Sequence, residues 1–193
     1  LFDLPFINET GHSLPPDLKW MKKVLEKIDN DGIKISSVLL VNPTYQGYSE
    51  NISPLVDEFH KRNLPVIVDE AHGTHFSLGL DQLPCSGLSA GADLVVHSLH
   101  KSSQGLGQTA VIWLQGNLVD PTALERSLGL FQTTSPSSLL LASCESSLRA
   151  LTSDMGRKKI ISLIESSKNL FENLLFKEVP LIANQDPLRL VLH

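Results

Sequence analysis

Two short apolar runs that end abruptly in ionisable residues constrain this chain more than any other feature. The first lies in residues 65–75 (PVIVDEAHGTH) and the second in residues 93–101 (DLVVHSLHK). Such a run is typical of a buried parallel strand, whose carboxyl end delivers polar side chains to one edge of the sheet. Ligands of open α/β sheets bind at that edge. We therefore expect Asp69 and Lys101 to meet at a ligand site.

The rest of the chain alternates helical and strand patterns. Apolar spacing predicts helices over residues 17–28, from near 51 to 62, after 121, over 139–151 and over 158–176, and further strands over 37–41, 109–114 and 188–193. Residues 1–13 show neither period. A strand, helix, strand order predicts right-handed parallel connections. The expected fold class is α/β, with a mostly parallel, mixed sheet flanked by helices.

Composition and charge exclude several classes of function. The 193 residues are 41% hydrophobic and 19% charged, which suits one globular domain or part of one. The formal charge is −5 and the Lys and Arg residues are scattered, so we expect no nucleic-acid partner. No apolar run reaches membrane length, no targeting pattern occurs, and Cys85 and Cys144 form no CxxC pair. We expect a cytoplasmic protein with no membrane partner.

The two polar strand ends suggest a specific chemistry. An amine at Lys101, just past a buried strand, is expected to lose hydration and so become a nucleophile for an aldehyde. The Asp69 carboxylate suits a protonated ring nitrogen. Together they are the two anchors of a pyridoxal phosphate enzyme. Hydroxyl and imidazole groups that suit the phosphate lie nearby in sequence or in the later turn: Ser98, His100, Thr134 and Ser135.

Other interpretations of the first run remain open at this point. Taken alone, Lys101 is an ordinary solvated Lys and Asp69 an ordinary cap. Residues 66–72 (VIVDEAH) also match the Walker B box of DEAH-type ATPases, although the GxxxxGK[ST] phosphate loop does not occur. His72 and His75 are acceptable metal ligands with Asp69, but a glycine-containing loop gives them no fixed face, so we predict no metal site. His97 is expected to pack against a helix.

Five motifs in order carry a resemblance to a known family. They lie at residues 42–47 (NPTYQG), 68–76 (VDEAHGTHF), 91–101 (GADLVVHSLHK), 108–110 (QTA) and 133–137 (TTSPS). Their order and spacing resemble the major domain of the bacterial ornithine/lysine/arginine decarboxylases, of pyridoxal phosphate fold type I, most clearly over residues 42–151. The resemblance implies that residues 1–193 are part of this cofactor-binding domain, without its N-terminal part and the small C-terminal domain. It also implies that the chain alone is inactive.

The resemblance implies a role for each candidate site residue. Lys101 would form the Schiff base with pyridoxal phosphate and Asp69 would bind the pyridine nitrogen. Ala71 would pack on the ring, and His72 would lie beside the cofactor and the substrate. Phosphate ligands would be Ser98 and His100 and, from the neighbouring subunit of a homodimer or larger homo-oligomer, Thr134 and Ser135.

The implied reaction is the decarboxylation of lysine, arginine or ornithine to the corresponding amine and carbon dioxide, a reaction of polyamine biosynthesis. Lys101 or His72 is the candidate proton donor. Within the same cofactor class, an aminotransferase or another lyase is the alternative function.

Overall fold

The computed structural model describes residues 4–192 of the chain. The strands are β1 (Phe6–Ile7), β2 (His12–Ser13), β3 (Val38–Val41), β4 (Val66–Asp69), β5 (Leu94–Ser98), β6 (Ala110–Leu114), β7 (Leu181–Ile182) and β8 (Val191–Leu192). The helices are α1 (Leu18–Asn30), α2 (Ser53–His60), α3 (Leu99–Ser102), α4 (Pro121–Gly129), α5 (Ser138–Thr152) and α6 (Asp154–Phe176), with a 3-10 helix at Thr74–Leu78. In this part of the chain, no helix is both long enough and apolar enough to cross a bilayer.

The central sheet has four strands in the order β3, β4, β5, β6. The first three are parallel, and β5 pairs with β6 in antiparallel fashion. The link between β5 and β6, residues 99–109, contains only the short helix α3, and β6 returns beside β5 in the opposite direction. The register places Val41 beside Asp69 and Asp69 beside Val96, so the carboxyl ends of the three parallel strands lie at one edge.

One face of this sheet forms the main core. Alternate strand residues point to it, because side chains alternate between the two faces of a strand. Helices α1 and α2 cover this face with side chains at the predicted three- and four-residue spacing. The buried side chains include Met21, Leu25, Leu40, Leu55, Val56, Phe59, Val66, Val68 and Val95. The opposite face of β3 is exposed at Leu39 and Val41.

A second, smaller core holds the C-terminal part of the chain against the centre. It joins Leu78 of the 3-10 helix with Leu151 of α5 and with Ile160 and Ile164 of α6, and Leu188 packs against it. Helix α6 begins at Asp154, earlier than the expected residue 158, because the Ser153 side chain caps it by accepting from the Gly156 amide at 3.0 Å.

The two ends of the chain differ most from expectation. Within residues 4–13, which showed no period, β1 and β2 pair as a short antiparallel hairpin. The strand expected over residues 188–193 is shorter, because only Val191 and Leu192 pair, with β7 in a separate sheet, while His193 lies outside the described residues. The preceding residues turn instead: the Arg189 amide donates to the Asp186 carbonyl at 3.0 Å.

Candidate active site

The first site residues lie where β4 ends. Asp69 is the last residue of the strand, and its Oδ1 accepts a hydrogen bond from the Ala71 amide at 3.0 Å, so the chain turns immediately after the sheet. Ala71 is buried and Asp69 half-buried. Within residues 4–192, no group donates a hydrogen bond to the second carboxylate oxygen of Asp69. That oxygen can therefore accept from a ligand.

Lys101 reaches the same edge from β5 through the short helix α3. Its Nζ lies 3.3 Å from Nε2 of His72, three residues after the end of β4. The two polar strand ends thus lie at the same edge: Lys101 contacts His72, and the charges of Lys101 and Asp69 both act on that ring. The expectation that Lys101 is withdrawn from water is wrong for this chain, because the side chain is exposed.

Four charged side chains form the electrostatic surroundings of His72. Burial lowers the pKa of His72 below its usual range, and the cations Lys101 and Arg189 lower it further, against the opposing effects of Asp69 and Asp186. A positive charge on the ring is disfavoured both by lost hydration and by two neighbouring cations. His72 is therefore an uncharged imidazole at neutral pH.

Arg189 and Tyr45 complete the surroundings of His72, and neither was assigned from the sequence. Arg189 Nη2 lies 3.3 Å from His72 Nδ1, and its guanidinium carbon lies 5.8 Å from the centre of the Tyr45 ring. The Tyr45 and His72 rings meet edge to face, with centroids 5.2 Å apart. Tyr45 lies in the 42–47 motif, which was a usable signal. Arg189 lies far along the chain in a run that reads as a strand, so no local signal marks it.

Of the four residues expected at the phosphate, two lie beside Lys101 and two lie in a separate exposed turn. Ser98 ends β5 at the start of α3, and the exposed His100 donates from Nδ1 to the Thr109 carbonyl at 3.0 Å. Thr134 and Ser135 are exposed in the turn between α4 and α5. No hydrogen bond among the described residues connects that turn to His72 or Lys101. The phosphate roles of these four residues stay predictions.

Glu70, next to Asp69 in sequence, points into the protein instead. It is fully buried, and its carboxylate accepts from the Ser86 hydroxyl at 2.8 Å, from the Gly87 amide and from His97 Nε2 at 2.9 Å. Trp113 Nε1 donates to His97 Nδ1 at 3.0 Å, so His97 belongs to a buried polar network. An acid held in this way cannot activate water on a nucleotide. The geometry thus argues against the DEAH-type ATPase interpretation.

His75 is also occupied by a structural contact. Its Nε2 lies 3.0 Å from Asp186 Oδ1, and both side chains are buried. In the part of the chain that the structure describes, no three His, Cys, Asp or Glu side chains are grouped as metal ligands. The histidine pair of the 72–75 loop is therefore divided: His72 lies at the site and His75 in the interior.

Comparison with solved structures defines the fold class. The constitutive lysine decarboxylase of E. coli superposes on 88% of this chain and 25% of its own, with a TM-score of 0.71 and 21% identity. Mouse CSAD in its apo form superposes on 93% of this chain and 40% of its own, with a TM-score of 0.65 and 18% identity. The predicted fold class, a mixed sheet flanked by helices as in the large domain of such decarboxylases, is confirmed.

Comparison of sequences then defines the family. Residues 16–183 match the family model described as "Orn/Lys/Arg decarboxylase, major domain". An arginine decarboxylase of Bacillus subtilis (strain 168) is 36% identical over 148 residues, which are 76% of this chain and 29% of the relative. An arginine decarboxylase of Halalkalibacterium halodurans is 37% identical over 117 residues, which are 61% of this chain and 24% of the relative. The chain belongs to the Orn/Lys/Arg decarboxylase family, and it spans less than a third of the length of these two relatives.

Proposed function

We propose that the whole protein decarboxylates a basic amino acid with pyridoxal phosphate as cofactor and releases the amine and carbon dioxide. The observation that carries this proposal is the meeting of Lys101 and the Asp69 loop through His72 at the carboxyl edge of the sheet. Among lysine, arginine and ornithine, the names of the relatives favour arginine.

The donor set at this edge fits the cofactor. Lys101 offers an exposed amine for the aldehyde, and Asp69 offers a carboxylate oxygen that no described group occupies. Ser98, beside Lys101, offers a hydroxyl for the phosphate, and His100, whose Nδ1 proton is used by the Thr109 carbonyl, would donate from Nε2 to the phosphate as an imidazolium. When bound, pyridoxal phosphate supplies an electron sink for the pair that remains as carbon dioxide leaves.

The remaining steps fall to the side chains of this chain. A carboxylate at Asp69 favours a proton on a ring nitrogen that it contacts, through a charge-assisted hydrogen bond. Ala71, buried two residues after Asp69, would give the site an apolar wall. His72, uncharged at neutral pH, keeps one N–H and can hand a proton to the reacting centre, and Lys101 is the other candidate donor.

The oligomeric part of the proposal concerns the exposed turn before α5. We propose that Thr134 and Ser135 contact the cofactor phosphate of a neighbouring subunit in a homodimer or larger assembly of a cytoplasmic enzyme. Its exposure supports this, because a turn that must reach another chain has to project from its own. Residues 1–193 would then be part of the cofactor-binding major domain.

Trapping the cofactor tests the proposal. The whole protein is incubated with pyridoxal phosphate, reduced with borohydride, digested and analysed by mass spectrometry. We expect the pyridoxyl group on Lys101, and none after Lys101→Ala, while the matched Lys159→Ala variant labels normally. Label on a different lysine, or no label at all, would contradict the assignment.

Labelled substrates separate the reaction types. Release of labelled carbon dioxide from carboxyl-labelled arginine, lysine or ornithine is expected of a decarboxylase. Transfer of the amino group without that release would identify the aminotransferase alternative.

A further inference from the structure

His72 has a potential hydrogen-bond donor at each ring nitrogen. Arg189 Nη2 lies 3.3 Å from Nδ1, and Lys101 Nζ lies 3.3 Å from Nε2. A guanidinium only donates, whereas the lysine nitrogen donates as an ammonium but can accept once it has a lone pair. An uncharged imidazole has one acceptor nitrogen. The ring therefore cannot accept from both neighbours at once.

The backbone at Arg189 is held firmly in place. Asp186 is buried against His75, and its Oδ1 accepts from the Leu188 amide at 3.0 Å. The Arg189 amide donates to the Asp186 carbonyl at 3.0 Å, and the Arg189 carbonyl accepts from Asn184 Nδ2 at 2.9 Å. Both backbone polar groups of Arg189 are thus satisfied by its own segment, which orders the side chain as it approaches His72.

Burial, helped by two neighbouring cations, lowers the pKa of His72 and keeps the ring uncharged, so its tautomer is the property that remains to be set. Lys101 from α3 and Arg189 from the C-terminal segment are cations, and Asp69 from β4 and Asp186 are the acids that act on the ring. A third positive charge between two cations is unfavourable.

We propose that Arg189 is a positioning residue that fixes His72 in the tautomer with its proton on Nε2, directed at Lys101 Nζ. With Nδ1 as the acceptor, the Arg189 contact is satisfied in every state. With Nδ1 protonated, Arg189 would face an N–H in every state. The contact at Nε2 is satisfied as soon as the Lys101 nitrogen carries a lone pair, as an amine or an imine nitrogen does. Once the Lys101 nitrogen carries a lone pair, this tautomer satisfies both contacts and the other cannot, whereas beside a Lys101 ammonium each tautomer satisfies one contact.

The consequence for catalysis rests on the proposed function, whereas the tautomer itself does not. With Nε2 protonated, His72 presents a proton donor on the side of the nucleophilic lysine. With the proton on Nδ1, it would present an acceptor there. By its contact with Nδ1, Arg189 thus determines whether His72 presents a donor or an acceptor to Lys101 at Nε2.

The tautomer can be measured without cofactor or substrate. The whole protein is produced with ¹⁵N-labelled histidine, as wild type and as Lys101→Met, which removes the ammonium donor at Nε2. Ring nitrogen shifts are recorded by magic-angle-spinning NMR on sedimented protein, at a pH above the His72 transition, and His72 is assigned by its absence in His72→Gln. We expect the ring in Lys101→Met, where Arg189 is the remaining neighbouring donor, to show a protonated Nε2 and an unprotonated Nδ1.

Two substitutions at Arg189 and one at Lys101 separate the proposal from a general structural effect. In the Lys101→Met background, Arg189→Lys keeps a donor and is expected to keep the proton on Nε2. Arg189→Met with Lys101 present leaves Lys101 as the only neighbouring donor, and the proton is expected to shift to Nδ1 in a large part of the molecules. A Lys101→Met ring protonated on Nδ1 would overturn the proposal even if Arg189→Met does not fold. An unchanged tautomer in a folded Arg189→Met would overturn it as well.

Because no cofactor takes part, these outcomes are independent of the proposed reaction. A decarboxylase whose His72 carried the proton on Nδ1 would refute the Arg189 inference alone. A protein with the expected tautomer but no decarboxylation would refute the proposed function alone.

Discussion

Two acid–histidine pairs lie at the same end of the sheet and differ in almost every physical respect. Glu70 and His97 are fully buried, and each polar atom that they use meets a fixed partner. Asp69 and His72 are half-buried, Asp69 keeps a carboxylate oxygen that no described group contacts, and His72 contacts the exposed Lys101. Because successive residues at the end of a strand point to opposite sides, one dipeptide supplies both an interior network and a ligand site. Polar groups whose hydrogen bonds are all made within the protein stabilise the fold, whereas a polar group with a free acceptor can bind a ligand.

The largest expected effect that tests this contrast is on turnover in Asp69→Asn. Asparagine keeps the side-chain oxygen that accepts from the Ala71 amide, so the turn after β4 should survive. It cannot hold a ring nitrogen protonated as a carboxylate can, so turnover of the whole protein should fall nearly to the background. Steady-state kinetics and absorbance of the bound cofactor measure the two effects.

Asp29→Asn, on the surface beside Arg62, is the matched control and should leave turnover unchanged. Full activity in Asp69→Asn would remove this stretch from the site.

Glu70→Ala, unlike Asp69→Asn, should mainly lower the free energy of unfolding. It leaves the Ser86 hydroxyl, the Gly87 amide and His97 Nε2 without their acceptor in a buried place. Breaking a buried polar pair in this way costs about 3–5 kcal/mol of the free energy of unfolding. Urea titration followed by circular dichroism measures it.

The control for Glu70→Ala is Glu145→Ala, which removes an exposed i,i+4 partner of Arg149 and should cost at most about 0.5 kcal/mol. Equal losses in the two variants would show that the buried network does not stabilise the fold.

Trp113→Phe should have a smaller effect on the same network. It removes the donor to His97 Nδ1 and keeps most of the ring, and a neutral hydrogen bond contributes about 1 kcal/mol. The tautomer of His72 should be unaffected, since its partners lie elsewhere. A change at His72 in Trp113→Phe would mean that the two pairs are coupled.

The smallest expected effect is a pH dependence of stability. The pKa of His72 is lowered in the folded chain, so below about pH 6.5 the unfolded chain binds a proton that the folded chain does not. This contribution to stability is therefore complete above that pH and decreases as the pH falls toward the folded-state pKa. In His72→Gln, the midpoint of urea unfolding should change less with pH over this range. An equally steep pH dependence in His72→Gln would assign the loss to other groups.

The sequence determined the four strands of the central sheet and the identity of the main polar groups, since both depend on local patterns. Apolar runs marked β3, β4, β5 and β6, three- and four-residue spacing marked α1 and α2, and the ordered motifs led to the confirmed family. Boundaries moved where a side-chain cap intervened, as at Ser153. The sequence predicted a mixed sheet, but that β6 is its antiparallel strand is visible only in the structure.

Tertiary structure alone decided which polar residues act together. The sequence gives no sign that Glu70 faces inward to Ser86 and His97 while Asp69 faces outward, because both are carboxylates at the end of one run. It also gives no sign that Arg189 reaches His72, since the contact depends on a buried His75–Asp186 pair and on the packing of Leu188. Local patterns fix what each segment can form, but hydrogen-bond partners far apart in the chain are chosen by the packing that brings them together.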